Sequence, residues 1–368
     1  MIKIVFVHLL NDYSGSPKVL SQVIKIVKRH NYEAILYINK GSKGFLSDMD
    51  IPTFYFPYRY RNNRFSTLLE LIRSQIILFF ALFKHKGNSI FYINTLLPIG
   101  AAIAGRVYGT KVIYHIHETS VRPHVLKKIL HFIARLTSSA CIFVSRFLMN
   151  AEGFPDTPSI CCYNVLDDDF IERSRKHAYM PNPDDFSVLM MCSLKHYKGI
   201  PEFLKAAEVL SNCKPISFHL VLNAGRDDIE RYFSHTAVPK NTSIYLATKD
   251  VHTFYEKASL VMNLSRTDQW IETFGLTLLE AMSYGIPVIG PPVGGPSEII
   301  RTGVNGYMIN SYDTKELCDR ILELSSDPKL CLQLSEAARN TAKQFSPDVF
   351  EANILNVIDC VINPMQPV

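Results

Sequence analysis

Short runs of branched apolar residues, separated by segments of helical length, decide what this chain can fold into. Ile2–Val7 is followed by the helix-period segment Lys18–Arg29 and then by Ala34–Ile38; Ile90–Ile93, Lys111–His115 and Ala140–Val144 continue the series. The rhythm resumes with Ser187–Met191, Phe218–Leu222, Ser243–Leu246, Leu260–Asn263 and Val288–Gly290. Apolar strands alternating with helices indicate parallel sheets with both faces covered. So many strands sit poorly in one open sheet, and 368 residues exceed one ordinary core, so two doubly wound domains are expected. The break is expected at Asp167–Asp185, where the composition turns polar and no strand or amphipathic pattern is visible.

The apolar share of 47% against 20% charged residues supports full cores and excludes a disordered chain. Lys and Arg number 39 against 34 Asp and Glu, a net charge of +5. That excess suits an anionic small ligand or an anionic membrane surface; a duplex nucleic acid asks for a denser basic stripe, and no nucleic-acid partner is expected. The eight cysteines form no Cys-x-x-Cys pair, which points to a reducing, cytoplasmic setting without a disulfide framework or zinc site. The opening MIKIVFVHLL reads as a buried strand and not as a signal peptide. The longest uninterrupted apolar run, Ile76–Phe83, is too short to span a bilayer, which takes about 20 residues.

In doubly wound sheets ligands bind outside the carboxyl ends of the strands, often on a helix N-terminus. Leu260–Asn263 reads as such a strand, and Leu264–Thr273 as a polar loop carrying Arg266, Asp268, Trp270 and Glu272. Phe274-Gly275-Leu276 then opens a helix that Gly285-Ile286-Pro287 stops. Glu280 lies five residues past Gly275, roughly 7 Å along a helix axis. A diphosphate on the free N–H groups near Gly275 would leave an attached ribose within reach of Glu280. Two acids eight residues apart, taken alone, equally fit a loop Glu and an ordinary exposed helix Glu.

The whole string ETFGLTLLEAMSYGIPVIG resembles the Glu-x7-Glu signature of retaining glycosyltransferase family 4, the glycosyl transferases group 1. The resemblance implies an α/β fold of two Rossmann-like domains facing a central cleft, the GT-B architecture. Residues 1–167 would form the acceptor-side domain and 185–346 the nucleotide-sugar donor domain, with a last helix over 347–362 crossing back onto the first. It implies contacts of Glu272 with the donor sugar and of Glu280 with the nucleoside ribose, and main-chain contacts of Phe274, Gly275 and Leu276 with phosphates and sugar. SLKHYKGIPEFLKAA resembles the segment with a basic pair for the diphosphate. Lys198 matches the usual Lys, Ser193 replaces the usual Arg, and Lys195 stands as a substitute charge without the fork of Arg. A solvated Lys at a helix start explains Lys195 equally well.

Tyr114-His115-Ile116-His117-Glu118 resembles the family's strand-end His motif. Strand alternation is expected to divide the pair, His115 into the sheet and His117 toward the transferred sugar. In the first loop, His8–Lys18, only Gly15 stands where the family has a Gly-Gly turn against the diphosphate; it keeps one flexible backbone position, or with the following Pro17 is simply a good helix start. The turn Gly294–Glu298 fits either the family or a simple capped helix start, and Asn164–Asp167 reads as a hinge.

The resemblance thus implies transfer of a sugar, with retention, from a UDP- or GDP-sugar to a glycan or lipid-linked acceptor, as in cell-surface polysaccharide synthesis. No metal or other cofactor is expected, since no ligand spacing is visible. A nucleotide-sugar epimerase on the same fold and a non-catalytic nucleotide-sugar-binding homologue remain alternatives. Two basic-apolar segments bear on the partners: Arg59, Arg61 and Arg64 before the apolar Leu68–Phe83 with Lys84-His85-Lys86, and the amphipathic Arg122–Arg135. Each fits a peripheral contact with the inner face of an anionic cytoplasmic membrane, or an ordinary helix with a solvated basic face.

Overall fold

The apolar runs pair as parallel strands in two separate sheets, each flanked by helices, in a computed structural model of the chain. The structure describes residues 2–41, 43–59, 63–213, 216–248 and 250–363, without the Arg64 side chain; Arg61 and that side chain lie outside the described residues. Strands β1 (Lys3–Val7), β2 (Glu33–Asn39), β3 (Thr53–Phe56), β4 (Ser89–Asn94), β5 (Lys111–Ile116), β6 (Ala140–Phe143) and β7 (Ser159–Cys161) form a sheet of order β3-β2-β1-β4-β5-β6-β7. Strands β8 (Phe186–Ser193), β9 (Ile216–Asn223), β10 (Thr242–Leu246), β11 (Leu260–Met262), β12 (Val288–Gly290) and β13 (Gly306–Met308) form a second, of order β10-β9-β8-β11-β12-β13. Both have the doubly wound pattern, in which the strand order reverses once and ligands bind at the reversal.

Three strands escape the apolar-run pattern: β3, β7 and β13, and all three are sheet edges. An edge strand is short and half covered, so it carries no continuous apolar run; Tyr55 of β3 is 58% exposed.

Contacts divide the chain into unit 1, Met1–Asn164 with Asp348–Val368, and unit 2, Val165–Pro347. The stretch expected to be irregular contains a helix, Asp168–Lys176, which belongs to unit 2. Two buried side chains one turn apart, Phe170 and Ser174, suffice to hold it, with the Phe170 ring 4.5 Å from that of His252. The last helix, Pro347–Ile362, buries Phe350, Ile354, Val357, Ile358 and Val361. Within unit 1 its Glu351 bonds Arg29 and His30, and its Asp359 accepts from the Tyr32 hydroxyl at 3.0 Å. Unit 1 also contains α1 (Gly15–Arg29), α2 (Arg64–Ala81), α3 (Ile99–Tyr108) and α4 (His124–Thr137).

Candidate active site

In the second sheet the order reverses between β8 and β11, so the segments leaving these strands flank one opening. Lys198 follows β8 and Glu272 follows β11. Though 74 residues apart, they meet: Lys198 Nζ donates to Glu272 Oε2 at 2.7 Å.

The main chain makes that meeting possible. Gly199 has φ 82°, and a Cβ there would lie 2.1 Å from the Leu264 carbonyl oxygen, so only glycine lets the two segments touch. The Arg266 N–H donates to the Tyr197 carbonyl at 2.8 Å, and Trp270 stacks on Tyr197 at 4.9 Å. The Arg266 guanidinium clasps Glu202 Oε1 at 2.9 and 2.6 Å, and both side chains are nearly buried. From the other side, the Gly295 N–H donates to the Glu272 carbonyl at 2.9 Å, and a Cβ on Gly295 would fall 2.3 Å from the Phe274 Cα. The Gly294–Glu298 turn is therefore a clamp on the Glu272 loop and more than a helix start. Sequence reasoning named Arg266 without a role and passed over Glu202; their 64-residue separation left no local signal.

Burial alone would raise the Glu272 pKa and lower that of Lys198. Their mutual attraction outweighs it, aided on Glu272 by Asn263 Nδ2 at 3.4 Å and Ser265 Oγ at 3.3 Å, so Glu272 is held low and Lys198 high. Both stay charged at neutral pH. An ammonium has three donors, and one goes to Glu272, so Lys198 can still serve a phosphate. The pair keeps 17% and 19% of its side-chain surface open.

The helix Leu276–Ser283 starts beside the pair. Gly275 enters it with φ 97°, and the first bond, from the Leu278 N–H to the Gly275 carbonyl at 3.0 Å, leaves the N–H groups of Leu276 and Thr277 ahead of the helical ladder. Phe274, 2% exposed, packs edge-on against Phe345 at 5.6 Å and pins this main chain. Glu280 is not the ordinary exposed glutamate of a surface helix: it is 6% exposed, and its Oε2 accepts from the Tyr255 hydroxyl at 2.6 Å. Tyr255 is fully buried and stacked on Tyr284. No local pattern marked it.

Lys195 is exposed and lines a cavity of about 540 Å3 at the carboxyl ends of β8 and β9, with Ser193, Asn223, Asp228, Arg231 and Tyr232. Arg231 thus brings to the Ser193 side a guanidinium that the sequence comparison of that segment did not supply; it also bonds Asp228 at 3.2 Å.

In the first sheet the order reverses between β1 and β4. There the fully buried Asn94 donates from Nδ2 to the Ser16 carbonyl at 3.1 Å, while its Oδ1 meets His117 Nε2 at 2.9 Å. The expected division of His115 and His117 to opposite sides is overturned: residues two apart on a strand share a face, and the rings lie 4.3 Å apart. His115 is fully buried and bonds the Tyr92 hydroxyl at 2.8 Å. Burial pushes its pKa down to about 3. His117 is half-buried; desolvation, with His115 and His8 nearby, holds its pKa well below the usual value. Glu118, not singled out in the sequence, accepts the N–H groups of Leu96 at 2.8 Å and His117 at 3.2 Å. Burial outweighs those bonds and raises its carboxyl to about 7. Thr95, next to Asn94, holds φ 74°, a conformation costly for a β-branched residue and of the kind that collects at functional sites.

Of the two readings of Gly15, the structure shows the helix start. It is an exposed first residue of α1 without a positive φ, and a Cβ there would meet nothing within 4 Å. Nothing in its backbone requires glycine.

The family model for glycosyl transferases group 1 matches residues 172–341, the stretch that holds Lys198, Glu272 and Glu280. This stretch, a little under half of the chain, is similar to group 1 glycosyltransferases. Spinach sucrose-phosphate synthase is 30% identical to the chain over 142 residues, 38% of this chain and 13% of that protein. EpsD of Bacillus subtilis is 30% identical over 183 residues, 48% of this chain and 46% of that one. The chain thus spans less than half the length of these relatives. Among solved structures, Anabaena HepE in complex with UDP-glucose superposes with a TM-score of 0.76 at 21% identity, covering 98% of this chain and 100% of that one. That likeness shows the fold: two Rossmann-like units of the GT-B type. Within the matched stretch Glu272 and Glu280 stand on the loop and helix that carry the signature string, and Lys198 reaches Glu272 from the segment after β8.

Proposed function

We propose that the chain transfers a sugar from a nucleoside diphosphate sugar to a hydroxyl of a glycan or lipid-linked glycan, with retention and without a metal ion. The observation that carries this reading is the ion pair of Lys198 and Glu272, held charged beside the N–H groups that open the helix Leu276–Ser283. A UDP-sugar is the preferred donor, because the Anabaena protein of the same fold was solved with UDP and glucose and with UDP-glucose.

The chemistry asks for three things. Charge that builds on the departing diphosphate must be met by fixed donors, here Lys198 Nζ and the N–H groups of Leu276 and Thr277. The sugar must be oriented, and an ionised Glu272 accepts bonds from its hydroxyls. The ribose must be gripped, and Glu280, steadied by Tyr255, faces that task. The bond from the anomeric carbon to the phosphate oxygen then breaks as the acceptor oxygen bonds to the same face, and the departing phosphate takes the acceptor's proton. Lys195 and Arg231 add positive charge beside the cavity of about 540 Å3, within the roughly 300–1,000 Å3 of ligand pockets. His117, kept neutral, hydrogen-bonds a hydroxyl without adding charge.

The test is release of nucleoside diphosphate from UDP- and GDP-sugars in the presence of glycan acceptors, in EDTA. UDP formation that depends on acceptor and survives EDTA is the expected result. Binding without release in every pairing, or release only with an added divalent ion, defeats the reading.

A further inference from the structure

Thirteen of the 28 large apolar side chains exposed among the described residues lie on α2 with its short extension to His85, on α3 and on α4. In contact terms α3 lies between α2 and α4, so the three form one continuous surface of unit 1. The stretch Phe65–His85 is long and apolar enough to cross a bilayer, although its uninterrupted apolar run is short. It is packed in the fold instead: Leu71, Leu78 and Leu82 are buried, and Gln75 accepts from the Gly100 N–H of α3 at 2.9 Å. Its outward side is apolar too, with Phe65 and Phe80 66% and 68% exposed. On α4, Val125, Ile129, Phe132 and Leu136 repeat at helical spacing on the outward side. Large apolar groups gathered on one exposed surface mark an interaction site more often than scattered ones do.

The charges on these three helices are predominantly positive, and Asp156, which lies outside them, is bonded to Arg135 of α4. The sequences of α3 and α4 contain no Asp or Glu, and the exposed cations Arg106 and Lys128 stand among the apolar side chains. Lys84 and Lys86 follow at the end of α2. The single acid of α2, Glu70, is covered by Arg73. At one end the patch borders a cavity of about 420 Å3 lined by Tyr55, Phe80, Phe83 and Lys84.

We propose that the α2–α3–α4 surface seats unit 1 on an anionic lipid bilayer, with the aromatic and aliphatic side chains in the headgroup boundary and the cations against lipid phosphates. Interfacial helices work in this way, an apolar face flanked by Lys and Arg. A second copy of the chain is a poorer occupant, since a twofold contact would set the same cations against each other.

The test uses the full chain and flotation with vesicles of phosphatidylcholine alone or with phosphatidylglycerol. Binding is expected with the anionic vesicles and is expected to weaken in salt. The variant Phe80→Ser/Phe132→Ser should lose binding by roughly tenfold or more, from two side chains no longer buried. Arg106→Glu/Lys128→Glu should lose roughly fivefold for each cation removed. Matching circular dichroism and melting confirm the fold, and the charge variant stands if the apolar one does not fold. Equal binding to neutral vesicles, binding indifferent to both variants, or variant-sensitive self-association without lipid each overturns the proposal. None of these readouts depends on sugar transfer.

Discussion

The two strand-order reversals hold ionisable groups in opposite states. In unit 2 burial acts on groups of opposite sign placed 2.7 Å apart, and Lys198 and Glu272 both remain charged. In unit 1 burial acts on His8, His115 and His117, and all three are held neutral. Glu118 beside them is pushed up to about 7 by the same desolvation. Desolvation is common to both places; what differs is whether a counter-charge faces the group. Under the proposed function the first would meet the charge of a diphosphate, and the second would exchange neutral hydrogen bonds.

That contrast breaks most sharply at Lys198. Lys198→Ala removes a preorganised donor and leaves Glu272 without its counter-charge, so kcat should fall by roughly 100- to 1,000-fold. A steady-state assay of nucleoside diphosphate release measures it, and a loss below tenfold means that the charged site is not where bond cleavage is assisted. Glu280→Ala should act next, and mainly on donor affinity. A hydrogen bond to a charged group is worth about 1.5–3 kcal/mol, or roughly 10- to 150-fold, read by calorimetry with the donor. Unchanged affinity would move the nucleotide elsewhere.

The neutral side is sharpened by pH. His115 has a folded pKa of about 3 against 6.5, so below 6.5 the unfolded chain binds more protons. Its contribution is complete above pH 6.5 and is lost as pH falls toward 3. Glu118 acts oppositely: its raised carboxyl favours the fold below 4.5, an advantage lost as pH rises through about 7. Urea titrations at pH 4.5 to 7 should therefore show a flatter acid-side loss for His115→Gln and a steeper one for Glu118→Gln, each departing from the parent by at most about 1.4 kcal/mol per pH unit for its one proton. Identical slopes would place a charge in the histidine cluster. The smallest effect is expected at Gly15: Gly15→Ala meets open space and should leave activity unchanged and gain about 0.4–1 kcal/mol, seen as a small rise in Tm. A large loss of donor binding there would restore the first loop as a phosphate contact.

The central strands were legible because burial on both faces writes a continuous apolar run, whereas β3, β7 and β13 carry half a run or less. The helix Asp168–Lys176 was missed because two side chains hold it within a charged stretch. Glu272 and Glu280 were marked by a signature string and Lys198 by a separate segment, but the residues that brace the site were not. Tyr255 reaches Glu280 from 25 residues away and Glu202 reaches Arg266 from 64, distances over which no periodicity speaks. His115 and His117 show a plainer failure: the period of two was applied with the wrong parity.

The ties that set Lys198 against Glu272 include main-chain contacts at Gly199, Leu264, Tyr197 and Gly295. Three side chains in the loop that hangs from them, Thr267, Asp268 and Gln269, face outward or nearly so. The frame of the site and its lip are thus written in different alphabets, one in backbone and one in side chain. Asp268 and Gln269 are tied to the Tyr312 hydroxyl, so a substitution at 267–269 changes side-chain contacts of the lip and leaves the main-chain frame of the charged pair in place.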